Sequence, residues 1–336
     1  MKEILEHVVQ RLDLSEREAG EAFNLIMDGQ ATPAQLGALL TALKMKGETV
    51  DELCGAAQSM RRHAVFVDPR GLPVIDTCGT GGDASGSFNV STTAALIAAG
   101  AGVPVAKHGN RSVTSACGSA DVLEQLGVNV DAPAEVMEEC LAEVGIAFLF
   151  APKLHPAMKH AMGPRRELGF RTLFNLLGPL TNPAGARAQV LGVFAPALTE
   201  MFAEVLRRLG SRHVLVVHGH DGMDEVTTTT RTRVSELSNG RIRTFDFDPL
   251  PLLGRYAASA DLRGGDPAEN AAIVRCILAG EAGPPRDIAC LNAAAGLVAA
   301  EQAADLREGL EQAYAAVDSG KAKAVLERLV AKTRAD

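Results

Sequence analysis

From Pro69 onward the sequence alternates short β-type apolar runs with helical windows rich in Ala and Leu, and this alternation narrows the possible folds most. The runs are Val74-Ile75, Val103 to Ala106, Phe148 to Phe150, Val190 to Val193 and Val214 to Val217. Such alternation builds a sheet covered by helices on both faces. Arg233 to Phe247 reads as two strands around the turn Ser238-Asn239-Gly240. From Pro267 to the end the pattern is helical again.

The first 65 or so residues differ, because no stretch among them reads as a strand. Ile4, Leu5, Val8, Val9 and Leu12 recur at helical spacing. Ser15 to Glu18 is a capping-box pattern, Thr32-Pro33 supplies an N-cap and a first-turn proline, and Thr49 to Glu52 caps a fourth helix. Four short amphipathic helices leave apolar surface uncovered, so they are expected to pack on something more, a second subunit being one candidate. The fold class is therefore α/β: a small all-helical domain, residues 1–69, beside a larger α/β domain with a central, mostly parallel sheet. A cleft between the lobes is the default ligand site.

Charge and composition exclude several functions. Lys and Arg number 33 against 41 Asp and Glu, a net charge of −8, which is not the basic footprint of a nucleic-acid binder. Aromatic residues make up 4% with no Trp, too few for a base-stacking platform. No apolar stretch approaches the roughly 20 residues of a membrane span, and the charged start lacks a signal-peptide core. The six cysteines are scattered without a C-x-x-C pair, as expected of reduced thiols in the cytoplasm.

Three segments carry chemistry. In the first, Val74 to Asp83 runs from a strand into a turn with glycines at 79, 81 and 82, followed by a helix from Ser91. Glycines there let several N–H groups converge where a helix N-terminus adds partial positive charge, which suits a phosphate. The motif is neither of the two common nucleotide fingerprints. A tight structural turn is the plain reading, yet Ser87, Asn89, Ser91 and Thr92 put more polar groups at the helix head than one cap needs. In the second segment a strand feeds Lys107-His108-Gly109-Asn110-Arg111-Ser112-Val113-Thr114-Ser115, and Gly118-Ser119 opens the next helix. Lys107 and Arg111 would give charge-assisted contacts, and Ser115 and Ser119 hydroxyl contacts, to a second phosphate-type ligand group.

The third segment is His218 to Thr227, with adjacent Asp224 and Glu225 after an apolar strand. Hard oxygen ligands of this kind suit Mg²⁺ bridged to substrate phosphates, and the spacing leaves a solvent-facing turn equally open. His218 and His220 suggest zinc only superficially, because no further His or Cys joins them; hydrogen-bonded loop residues are the better reading. His155 to His160 begins a helix expected to carry Arg165, Arg166 and Arg171. Arginines near an apolar helix can recognise a carboxylate bidentately, and as readily serve as surface or capping charges.

Together these segments closely resemble the anthranilate phosphoribosyltransferase family of tryptophan biosynthesis. The matching motifs are DTCGTGGD (76–83), FNVST (88–92), KHGNRSVTSACGSADVLEQLG (107–127), HPAMKH (155–160), RRELGFRTLFNLLGPLTNPA (165–184), DGMDEVT (221–227) and GPPRDIACLNAAA (283–295), in the family's order. The resemblance implies a helical domain that also takes residues 166–183 from later in the chain, an α/β domain of residues 70–165 and 184–336, and a homodimer formed through the helical domain. It implies transfer of phosphoribose from 5-phosphoribosyl 1-pyrophosphate to the amino group of anthranilate with Mg²⁺, two ions being expected.

Carried over by position, Gly79, Gly82, Asp83, Ser87, Asn89, Val90, Ser91 and Thr92 would cradle phosphoribosyl pyrophosphate. Lys107, His108, Gly109, Asn110, Arg111, Ser112, Val113, Thr114, Ser115 and Ser119 would continue that site. Ser91, Asp224 and Glu225 would hold the metal, while Gly79, His108, Asn110 and Arg165 would meet anthranilate. Catalysis would be electrostatic and positional, through Lys107 and Asn110, with no acid or base. Ser87 replaces a threonine common in the family and keeps its hydroxyl; Met162-Gly163-Pro164 replaces the more usual Ala-Pro-Val before Arg165. Two alternatives stand beside this reading: a pyrimidine nucleoside phosphorylase of the same fold, whose loops carry K-x-S-T-G-G, and a non-catalytic nucleic-acid-binding paralogue.

Overall fold

The computed structural model describes residues 1–83, 85–112 and 116–335. The head is four helices: α1 (Lys2–Val9), α2 (Glu16–Met27), α3 (Pro33–Lys46) and α4 (Val50–Arg62). Ser15, Thr32 and Thr49 each cap through a reciprocal bond with the residue three on, as their spacing predicts. Glu52 does more than close its box. Fully buried, it also accepts from Leu14 N and pairs with Lys46 Nζ at 3.1 Å, tying α4 to α3 and to the loop before α2.

Seven strands form one sheet: β1 (Ile75–Gly79), β2 (Val105–Gly109), β3 (Ile146–Phe150), β4 (Ala188–Gly192), β5 (His213–Gly219), β6 (Thr232–Ser238) and β7 (Arg241–Phe247). Their order is β3-β2-β1-β4-β5-β6-β7. The first five strands in sequence pair in parallel, and the β6–β7 hairpin adds two antiparallel strands at one edge. Asn239 and Gly240 both take positive φ, 51° and 74°, the requirement of its two-residue turn. Strand β1 is the place where the order reverses, with β2 on one side and β4 on the other. In open α/β sheets a ligand crevice opens beyond the carboxyl ends of strands at such a point.

Several boundaries shift from the expected ones. Lys107, His108 and Gly109, read as loop, are the last residues of β2, and His218 and Gly219 end β5. Polar residues extend these strands because they sit at the carboxyl ends, where the sheet opens toward the cleft. After β1 comes α5 (Val90–Gly100), and after β2 come α6 (Ser119–Gln125), α7 (Ala134–Glu139) and a π-helical turn, Cys140–Val144. The short α8 (Ala151–Leu154) leads to α9 (Lys159–Leu168) and α10 (Phe174–Leu177). Arg171 lies beyond the end of α9, not on it, because Gly169 at φ 67° turns the chain out of the helix. The body closes with α11 (Leu198–Arg208), α12 (Leu250–Leu253), α13 (Pro267–Leu278), α14 (Pro284–Ala299), α15 (Leu306–Asp318) and α16 (Lys321–Arg334).

The sheet divides two cores. Val190, Leu215 and Val217 join the larger one with α5 and α14; Leu191, Val193, Val214 and Val216, facing the other way, join the head. That second core also includes Ala161, Leu173, Phe174, Leu176, Leu177 and Leu180 of the 159–180 crossover, and Phe202 and Leu206 of α11. The head thus finds much of its cover within its own chain. Arg208 of α11 pairs with Glu16 and Asp51, and Arg61 Nε reaches Leu180 O at 2.7 Å. Val9, Leu12 and Met45 stay exposed, Leu12 because α1 ends before it.

Candidate active site

A cleft of about 370 Å³ opens where β1, β2 and β4 end. It is lined by Gly79, Gly82, Asp83, Ser87, Asn89, Val90, Ser91 and Thr92 from the first segment and by Lys107, His108, Gly109, Asn110, Arg111, Ser112 and Ser119 from the second. Asp224 and Glu225 complete it from a third, Glu225 lying 134 residues from Ser91 in sequence. Val113, Thr114 and Ser115 lie outside the described residues.

Close backbone approach explains the glycines as much as anion binding does. A Cβ on Gly79 would collide with the Asp224 carboxylate, and one on Gly192, its partner across β1 and β4, with the Asp224 backbone carbonyl. The acidic loop can therefore lie directly on the strand ends. Asp224 Oδ2 accepts from Gly81 N at 2.9 Å, and Glu225 Oε1 from Ser91 N at 3.1 Å. Burial and the neighbouring Asp83 push the Asp224 carboxyl up to about 7; burial and Asp224 push Glu225 well above the usual range.

Lys107 is buried, its Nζ bonding to Thr77 O and lying 3.4 Å from Ser91 Oγ. Desolvation holds its pKa down, with Asp76 acting against that. Asn89, at the head of α5, makes no capping bond. Its carboxamide instead bonds to Cys117 and accepts from Asn270 Nδ2 at 2.9 Å. Arg111 faces Asp121 and Glu124, so its guanidinium is engaged on the outer side of the loop.

Among the described residues no three His, Cys, Asp or Glu side chains form a self-sufficient metal cage. The donor set fits a hard cation that keeps water and substrate oxygens. Two half-buried, mutually repelling carboxylates sit beside a hydroxyl, and Asp83 Oδ2 is buried with no hydrogen bond among the described residues. The histidines of the third segment are hydrogen-bonded, His218 Nδ1 to Val193 O at 2.7 Å and His220 to Asp246 at 3.2 Å.

The far wall departs most from expectation. Arg165 is not among the residues lining this cleft; its guanidinium lies 5.0 Å from the Phe174 ring centroid and makes no ion pair among the described residues. Burial lowers its pKa. Arg171 lines the cleft instead, stacked 4.5 Å over Phe194 and bonding to Gly82 O, with Asn175 beside it. Sequence reasoning gave Asn175 no role and left Arg171 among helix arginines without a place in the site; GFRTLFN, seven residues with three polar side chains amid apolar ones, was the available signal. His155 was also passed over. Its ring lies 5.1 Å from that of His108, and both Nε2 atoms are buried without partners. Desolvation pushes His108 down to about 3 and His155 to about 4, so both are neutral.

Known proteins match along almost the whole chain. Residues 2–64 fit the glycosyl transferase family helical bundle domain, and residues 71–323 the family's a/b domain. An anthranilate phosphoribosyltransferase of Syntrophobacter fumaroxidans is 56% identical over 329 residues, covering 98% of both chains. The crystal structure of the Thermus thermophilus enzyme of that name superposes with a TM-score of 0.94 at 45% identity, covering 99% of each chain. The Saccharomyces cerevisiae enzyme in complex with phosphoribosyl pyrophosphate and Mg gives 0.89 at 28% identity, covering 99% of this chain and 98% of that one. With the cleft at the switch point, the paired glycine turns and these full-length likenesses together, the chain belongs to the anthranilate phosphoribosyltransferase family.

Proposed function

We propose that the protein transfers the phosphoribosyl group of 5-phosphoribosyl 1-pyrophosphate to anthranilate, giving N-(5-phosphoribosyl)anthranilate and pyrophosphate, in tryptophan biosynthesis. The observation that carries this reading is the convergence of two backbone-lined turns, a buried lysine and a half-buried acidic pair at the ends of β1, β2 and β4. The N–H groups of the glycine turn, Lys107 and Ser119 hold the diphosphate sugar. Ser91, Asp224 and Glu225 hold magnesium, two ions in all, which neutralises charge on the leaving pyrophosphate.

As the anomeric C–O bond breaks, positive character develops on the sugar carbon. The arylamine nitrogen forms the new bond and releases its proton to water. Lys107 stabilises the departing oxygen, while Asn110, Gly79 and His108 orient the amine. Neutral His108 and His155 suit an aromatic ring better than charged ones would. The anthranilate carboxylate is assigned to Arg165, which has no acidic partner among the described residues. Arg171, bound to the glycine turn, stands on the pyrophosphate side.

The functional division takes residues 1–69 with 166–183 as head and 70–165 with 184–336 as body, although the head's core runs on into Leu191, Phe202 and Val214 of the body. An apolar groove lined by Val8, Val9, Ala34, Ala38, Ala42 and Met45 supports a homodimer formed through the head. The setting is the cytoplasm; no described helix is long and apolar enough to cross a membrane.

The test is loss of anthranilate fluorescence on adding phosphoribosyl pyrophosphate. Loss that requires Mg²⁺ is expected. A protein inert in this assay but active in cleaving thymidine or uridine with phosphate alone would overturn the reading.

A further inference from the structure

Asp224 and Glu225 sit on a loop, residues 221–227, that must hold two mutually repelling, half-buried carboxylates in place. Two of its anchors are close at hand. Asp221 accepts from Met223 N at 3.1 Å and from Thr227 Oγ1 at 2.6 Å, closing the loop on itself, and Gly192 gives the Asp224 backbone room against β4. The third comes from α14. Asn292, 2% exposed, accepts from Val226 N and donates through Nδ2 to Val226 O, both at 2.9 Å. A further Nδ2 bond to Ile288 O, also 2.9 Å, fixes its orientation within its own helix. A carboxamide that grips both backbone groups of one residue sets the position and direction of the peptide next to Glu225.

Asn292 belongs to the GPPRDIACLNAAA segment, to which the assigned chemistry gives no task. Its neighbours on α14 are Ala, Cys, Leu and Ile, all buried and packed against α5 and α15. A polar side chain in so apolar a helix needs its partners, because an unmet buried amide costs more than the bonds it would make. Replaced by an apolar residue it would leave Val226 N and O unpaired and free the loop to turn.

We propose that Asn292 is a positioning residue for the divalent-cation site: it acts through Val226 to aim the Asp224 and Glu225 carboxylates. This rests on the reading of that acidic pair as the metal site. Asn292→Ala removes all three bonds; Asn292→Asp keeps the acceptor and removes the two donors, and serves should the alanine variant fail to fold. Loss of the free Mn²⁺ electron paramagnetic resonance signal reads binding of the metal alone in the whole protein. Outer partners of metal ligands usually contribute about 10- to 100-fold in affinity, so a weakening of about tenfold or more is expected for Asn292→Ala and less for Asn292→Asp. Leu297→Ala, a core change on the same helix, should lower the melting temperature while leaving Mn²⁺ affinity unchanged.

The outcomes separate. Should Mn²⁺ fail to bind, or bind equally well to the Asp224→Asn/Glu225→Gln double variant, the metal site and this proposal both fall. Binding lost in the double variant but kept within about threefold in the Asn292 variants overturns the proposal alone, since that lies below the outer-partner range. An equal weakening in Leu297→Ala also overturns it, by assigning the effect to general loosening of the core.

Discussion

On the sheet side of the cleft, Gly79 and Lys107 stand on strand ends, and Glu225 stands on a loop pinned by Asn292 and by backbone contact with Gly192. On the head side, Arg165 lies over the Phe174 ring outside the cleft lining, and Arg171 reaches across over the Phe194 ring to the glycine turn, both carried by a crossover whose apolar residues belong to the head's core. The first wall is held by hydrogen bonds that leave little freedom. The second is held by ring contacts and side-chain packing, which adjust more readily than a strand end. The difference suits the proposed reaction, in which pyrophosphate leaves against the more tightly bonded surface and the acceptor meets the more adjustable one.

Four measurements test that division. The largest effect is expected from the rigid wall: Asp224→Asn with Glu225→Gln should lower turnover by about 10³-fold and abolish the magnesium response. Unchanged kinetics would strip the wall of its metal role. Lys107→Met should lower kcat by about 10²-fold with a much smaller change in KM for anthranilate. An effect confined to anthranilate KM would move Lys107 to the other side of the cleft.

On the adjustable wall, Arg165→Ala should raise KM for anthranilate about tenfold, the equivalent of about 1.4 kcal/mol, and leave that for phosphoribosyl pyrophosphate nearly unchanged. Arg171→Ala run in parallel decides between the arginines, since an exchange of the two patterns would exchange their roles. The smallest effect concerns stability. His108 and His155 are neutral when folded and take up protons on unfolding below the ordinary value of 6.5. Their contribution is therefore complete above about pH 6.5 and is lost as the pH falls toward their folded values near 3 and 4. His155→Gln should reduce the drop in melting temperature between about pH 7 and about pH 5 by about 2–4 °C. An unaltered drop would mean that this ring is already charged in the folded state.

Much of this was legible before the coordinates. The three caps of the head, the strand-and-helix alternation and the glycine turns are local patterns, fixed by hydrogen-bonding reach and backbone freedom over a few residues. Lys107 and the acidic pair were found as types in a plausible setting. Their meeting was expected only through the family resemblance and not from the residues themselves, because contacts such as Glu225 to Ser91 join residues 134 apart in sequence. The arginines show the limit best. Arg165 and Arg171 look equivalent in a chain of letters, and only the turn at Gly169 sends the second into the cleft while the first lies over Phe174.

By itself the sequence determined the elements, the reversal-prone alternation that makes a parallel sheet, and the supply of anion- and metal-binding groups. Periodicity and turn chemistry act over a handful of residues and need no partner. The tertiary structure alone decided which groups face one another across the cleft, why Gly79 and Gly192 must lack a side chain, and that an amide on α14 grips the acidic loop. Those depend on where the packing of two cores brings distant segments, a property of the whole chain.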